Sequence, residues 1–179
     1  MRKYLSVFLF GLSQFLLVQP RAFGQQKLVA AKVNFTIENA GLEVNGSFTD
    51  IRGNMNFYPE NLAASSMEVS VPVATIKTGN SMRDGHLKKK EYFDAEKFPD
   101  ILIKSKFFGK QEGLFRGYYS LSIKGVTKDI TVPFSYVQKN NRIYLSGNFE
   151  LNRRDFGVGT RSMILSDKVK VSVELEVMP

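Results

Sequence analysis

VNFTIENAGLEVNGSF, residues 33–48, alternates apolar and polar side chains along two runs broken by Asn39-Ala40-Gly41. Val33, Phe35 and Ile37 share one parity and Asn34, Thr36 and Glu38 the other; Val44, Gly46 and Phe48 then alternate with Glu43, Asn45 and Ser47. A period of two is the mark of strands buried on one face only, and a glycine-containing break between them predicts a tight antiparallel reversal.

The same rhythm runs outward from this hairpin. Ile51-Arg52-Gly53 is the next break, after which Met55 and Phe57 continue the inner parity. Met67, Val69, Val71 and Val73 follow, with Pro72 on the outer parity, where the missing N–H predicts an edge or a bulge. Ile101, Ile103, Ser105 and Phe107 lead to a turn at Gln111-Glu112-Gly113; Tyr119, Leu121 and Ile123 lead through Gly125 into Ile130, Val132, Phe134 and Tyr136. After Lys139-Asn140-Asn141 come Ile143, Leu145, Gly147, Phe149 and Leu151, and the last run is Val169 to Val177. The total is about eight antiparallel strands in an all-β domain. Such strands make a sandwich or an up-and-down barrel. Hairpin-length connections, and terminal strands that would be exposed edges unless joined to each other, favour the barrel.

One stretch breaks the rhythm. Between Asn80 and Phe98 the apolar residues Met82, Leu87, Tyr92, Phe93 and Phe98 are irregularly spaced among charges, which predicts one or two short helices. Asn80 or Ser81 would cap the first, Gly85 would interrupt it, and Pro99 would end the segment. Leu87, Tyr92, Phe93 and Phe98 are expected to face the barrel as a lid or wall.

Residues 1–24 read as a leader: a basic start at Arg2 and Lys3, an apolar run from Tyr4 to Val18, and Ala22-Phe23-Gly24 as the cleavage region. Cleavage after Gly24 leaves 25–179 as one exported domain. Removing Arg2, Lys3 and Arg21 from 25 basic residues leaves 22 against 17 acidic, a net charge of +5. That describes a mildly basic surface. With no cysteine in the chain, disulfides, thiol catalysis and cysteine metal sites are excluded.

The 15 phenylalanines and 7 tyrosines can fill a core or line a cavity for a long apolar ligand. By parity the inward candidates for ligand contact are Phe35, Phe48, Phe57, Val71, Ile103, Phe107, Leu121, Phe134 and Phe149, with Leu87, Tyr92 and Phe93 from the insert. His86 is the only histidine, so it cannot anchor a metal site of the usual kind, and it is read as a cap or hydrogen-bonding group, or as a contact for a ligand's polar head. Lys88-Lys89-Lys90 is read first as a solvated face and second as a docking surface for anionic lipid. Asn152-Arg153-Arg154-Asp155-Phe156-Gly157-Val158-Gly159 lacks the Lys-Ser/Thr of a phosphate loop. Arg153, Arg154 and Asp155 are expected to form a polar closure at one barrel end, with Gly157 and Gly159 allowing the bend.

The order and spacing of several pieces resemble the YceI-like family of exported, lipocalin-like, polyisoprenoid-binding proteins. They are Gly53-Asn54-Met55-Asn56-Phe57, Ile76-Lys77-Thr78 before Arg83-Asp84-Gly85-His86-Leu87, Tyr92-Phe93-Asp94, Ile123-Lys124-Gly125-Val126-Thr127-Lys128, and Asn152 to Gly157. The resemblance implies a lipocalin-like barrel whose lumen holds an isoprenoid quinone, a polyprenyl chain or a fatty-acyl chain in the bacterial periplasm. It implies carriage or storage without covalent chemistry and without a cofactor. No nucleophile motif accompanies His86, so an enzyme is the weakest class. A packed barrel serving interaction or stress protection is the alternative. Transient contact with a membrane surface and a homodimer are compatible partners, and nucleic acid is not expected.

Overall fold

The computed structural model describes residues 26–179, so the leader expected at 1–24 lies outside the described residues. Among the described residues nine strands form one antiparallel sheet: β1 (Lys27–Asn39), β2 (Leu42–Phe48), β3 (Arg52–Asn56), β4 (Ser66–Pro72), β5 (Asp100–Gln111), β6 (Leu114–Ile123), β7 (Val126–Lys139), β8 (Arg142–Asn152) and β9 (Leu165–Met178). The ninth strand beyond the expected eight or so is β3, only five residues long, formed by the segment around Met55.

The alternation sets these strands, and two-residue turns set their pairing. Ala40-Gly41, Glu112-Gly113, Lys124-Gly125 and Asn140-Asn141 all have both central residues at positive φ, between 50° and 81°. That is the mirror-image turn whose twist matches a right-handed hairpin, and glycine or asparagine at its second position meets the backbone demand.

The spatial order β2-β1-β9-β8-β7-β6-β5-β4-β3 joins the first and last strands, with Val33 opposite Val173 and Phe35 opposite Val171. The edges that remain are β2 and β3, which are consecutive in the chain. The sheet therefore curls into a half-barrel with a seam between them. Ser47 and Lys77 close part of it by exchanging backbone hydrogen bonds of 2.8 and 2.9 Å. At the opposite end the buried Gln26 does the same: its side chain accepts from the Phe57 N–H at 2.8 Å and donates to the Phe57 carbonyl at 3.0 Å. Pro72 is the last residue of β4, beyond the stretch paired with β3, so its missing N–H removes no ladder bond.

The inner volume divides into two parts. At the end bounded by the Glu112-Gly113 turn, Phe57 is 1% exposed and its ring meets those of Phe108, Phe115 and Phe134 edge-on at 5.1–5.5 Å, with Tyr136 tilted against it. Edge-to-face packing satisfies the ring quadrupoles and leaves a solid plug. The other end, towards the insert, is hollow.

The irregular insert holds one helix, α1 (Ser81–Leu87), followed by turns to Phe98. Asn80 caps it, its side chain accepting from the Arg83 N–H at 3.0 Å. The expected interruption at Gly85 does not occur: Gly85 lies inside α1 with open space around its Cα, so its lower helix propensity is tolerated in a seven-residue element.

Candidate functional site

Under α1 and its following turns lies a cavity of about 600 Å³. Its walls come from the inward parity of β1, β2, β4, β5, β6, β8 and β9, and its roof from the insert. Aliphatic side chains dominate the wall, among them Val33, Val69, Val71, Val169, Val171 and Val173. Short branched side chains on facing strands stop short of the axis, and the space between them stays open.

The lid is positioned by bonds that start at Thr78. Asp84 accepts from the Thr78 N–H at 2.8 Å and from its hydroxyl at 2.6 Å, while Arg83 donates through Nε to Thr78 Oγ1 and through Nη2 to the Thr78 carbonyl, each at 2.7 Å. This ties the start of α1 to the segment that bridges the seam at Lys77. Past the helix, the Phe93 N–H donates to the Leu87 carbonyl at 3.0 Å and places the Phe93 ring edge-on to Phe48 at 6.2 Å. His86 is exposed and edge-on to Tyr92 at 5.0 Å.

A second loop, 157–164, closes the other side of the mouth and hangs on Arg153. The buried guanidinium donates to the carbonyls of Ser166 and Val158, both at 2.9 Å, and pairs with Asp167 at 2.7 Å. Buried charge is tolerable when it is this fully bonded. Gly159 has φ of 70°, and a Cβ there would lie 2.8 Å from Arg153 Nη1 and 3.1 Å from the Tyr92 ring, so glycine is what lets loop and lid meet. The polar closure expected of Arg153, Arg154 and Asp155 is thus made by Arg153 alone; Arg154 and Asp155 are exposed, because the single turn of 3-10 helix over Arg153–Phe156 turns them outward.

Ten of the sequence-derived contact residues sit on this cavity: Phe35, Phe48, Val71, His86, Leu87, Tyr92, Phe93, Ile103, Leu121 and Phe149. Three do not. Phe57 is the centre of the solid plug, and Phe134 belongs to the same plug, touching only a crevice of about 60 Å³. Phe107 points outward, 56% exposed and stacked on Tyr118 at 4.1 Å. A bulge causes this: the β5–β6 pairing skips Lys106 between Ser105 opposite Tyr119 and Phe107 opposite Tyr118. Unbroken register counted back from the Glu112-Gly113 turn would set Lys106 opposite the buried Tyr119. The bulge sends Lys106 to an exposed ion pair with Asp129 at 2.6 Å and gives the inner position to Phe108. Phe98, expected to face inward, covers the Lys124-Gly125 turn instead.

Sequence reasoning did not select Val33, Ile37, Val169, Val171, Val173 or Arg83 as site residues. The valines and isoleucine carried the same parity signal as the aromatics, and size alone drew attention away from them. Arg83 and Arg161, 78 positions apart in the chain, line the same cavity only because α1 and the 157–164 loop converge there.

The perturbed ionisations lie off the cavity wall. Burial pushes the Tyr119 phenol well up from its ordinary value, and burial followed by the charge of Glu60 raises that of Tyr136. Among the described residues no three His, Asp or Glu side chains gather as a metal site would need. The cavity can desolvate an apolar chain and present donors at its mouth.

Fold and cavity define a class: a half-barrel, solid at one end and hollow under a lid at the other. The chain belongs to the YceI-like family, whose domain matches residues 27–177. A UPF0312 protein of Yersinia enterocolitica is 27% identical over 153 residues, covering 82% of this chain and 80% of the relative. The crystal structure of Burkholderia cenocepacia BcnA superposes with a TM-score of 0.78 at 25% identity, covering 83% of this chain and 96% of that one. A structure described as a polyisoprenoid binding domain from Saccharophagus degradans, implicated in plant cell wall breakdown, shares the fold with a TM-score of 0.69 at 13% identity over 86% of this chain and 97% of that one.

Proposed function

We propose that the protein binds and carries or stores a long-chain isoprenoid or another amphiphilic lipid in its cavity, without covalent chemistry. The observation that carries this reading is the apolar hollow of about 600 Å³ beneath the lid. That volume lies within the range of roughly 300–1,000 Å³ typical of small-molecule sites. Each CH₂ removed from water contributes about 0.8 kcal/mol, so ten supply about 8 kcal/mol before the costs of association. The Saccharophagus domain, described as polyisoprenoid-binding, supports the class of ligand.

In this reading Phe35, Phe48, Val71, Ile103, Leu121 and Phe149 contact the chain, Leu87, Tyr92 and Phe93 close over it, and His86 stands at the polar head. The leader-like residues 1–24 fit export to the periplasm, where a lipid must be shielded from water in transit. Met82 and Met163, exposed on the lid and on the facing loop, together with Lys89 and Lys90, suit brief contact with an anionic membrane during loading. The hollow disfavours the packed-barrel interaction module. Native mass spectrometry of the protein purified from a bacterial host, followed by organic extraction, is expected to show a copurifying isoprenoid or acyl species. A protein that stays empty when incubated with quinone, polyprenyl and fatty-acyl lipids would refute the proposal.

A further inference from the structure

The mouth of the cavity is not neutral. Among the described residues no aspartate or glutamate lines the cavity, whereas Arg83, Arg153, Arg161 and His86 all do. Arg153 is neutralised by Asp167 and bonded to backbone carbonyls. The other two arginines differ. Arg83 spends Nε and Nη2 on Thr78, but its Nη1 has no hydrogen-bond partner among the described residues, and the adjacent Asp84 is occupied by the Thr78 N–H and hydroxyl. Arg161, on the facing loop, has neither a hydrogen bond nor an ion pair among the described residues. Beside it the Ser162 oxygen accepts from the N–H groups of Ile164 and Leu165 at 3.2 and 3.0 Å, which leaves its own O–H free to donate.

Donors from α1 and from the 157–164 loop therefore line one cavity, Arg161 with no acidic partner among the described residues and Arg83 with Nη1 unspent beside a single carboxylate, Asp84. A head that is only an acceptor, and carries negative charge, is matched by such a rim; an alcohol would bring a donor that needs an acceptor in return. The arginine fork suits the oxygens of a carboxylate or phosphate, and the apolar walls below lower the screening of that contact. Resting on the lipid-binding reading above, we propose that the cavity selects amphiphiles with an anionic head, a carboxylate or a phosphate, held between Arg83 and Arg161 while the tail lies along the valine-lined wall.

Calorimetric titration of the purified protein with palmitate, hexadecyl phosphate and hexadecanol, each below its micellar concentration, tests this because the three share one tail. At low salt at least one anion is expected to bind about tenfold more tightly than the alcohol, with the advantage shrinking as salt is added. The Arg161→Gln variant, altered at an exposed and unbonded side chain, is expected to remove most of that advantage and to leave hexadecanol affinity unchanged. Arg83→Gln should act the same way, and its melting temperature reports whether the brace on Thr78 survives. The stronger of the two anions identifies carboxylate or phosphate as the natural head. Equal binding of all three ligands, or an anion advantage that persists in Arg161→Gln, overturns the head-group proposal while leaving the cavity reading in place. Failure of all three to bind while a quinone or polyprenyl lipid is retained overturns the head-group proposal alone, and failure with those lipids as well overturns both.

Discussion

The two ends of this half-barrel are built from the same alternating strands, yet one is solid and the other hollow. At the solid end Phe57, Phe108, Phe115, Phe134 and Tyr136 meet around a single centre. At the hollow end Val33, Val171 and Val173 of the paired strands β1 and β9, with Val71 of β4, line a space of about 600 Å³. Large rings reach the axis from opposite walls and valines do not. The two ends thus differ in whether rings from opposite walls meet, and the cavity lies where aliphatic side chains make up most of the wall. Aromatic rings line the hollow end too, Phe35, Phe48, Phe149 and Phe156 with Tyr92 and Phe93 of the insert, but none is surrounded by rings as Phe57 is. The end of the Phe35 ring lies over Gly46, where a Cβ would come within 2.1 Å of it, so glycine is what gives that ring room against the wall.

The contrast can be broken from either side. Phe57→Ala removes the centre of the plug and is expected to cost about 3–5 kcal/mol in chemical denaturation, the range for a buried phenylalanine whose surroundings cannot collapse. Ligand affinity measured on the folded fraction should change little. Val171→Trp converts the hollow end towards the solid kind. It is expected to weaken lipid binding by about a hundredfold in titration while changing stability by about 1 kcal/mol or less, since the added ring enters existing space and overpacks nothing. A Val171→Trp protein that binds normally would place the ligand elsewhere. The smallest effect belongs to Phe107, which the bulge has put outside both regions. Phe107→Ala is expected to cost about 0.5–1 kcal/mol, the worth of its stack on Tyr118, with no change in binding.

Much of this was legible in the chain, and the places where it was not have specific causes. Strand face followed from period-two alternation wherever register ran unbroken, as along β2, β7 and β8. Phe107 was misread because a one-residue bulge inverts every side chain beyond it. The clue was available in Lys106, which an unbroken register would have buried beside Tyr119. Phe57 and Phe134 had the right parity, but parity reports which wall a residue faces and says nothing about depth along the barrel. Gly85 was expected to break a helix that in fact runs through it, because the Asn80 cap and the Thr78–Asp84 bonds outweigh a propensity cost of about 1 kcal/mol.

By itself, then, the amino-acid sequence determined the antiparallel strands, their tight turns and the inner face, because these depend on neighbours within a few residues and on a two-residue period that any part of the chain displays. Only the tertiary structure decided that one end is filled and the other hollow, that β2 and β3 are left as the edges of the seam, and that Arg83 and Arg161 line the same cavity. Those properties depend on which side chains from distant strands meet at the same depth, a quantity set by register and curl, to which no local pattern is sensitive.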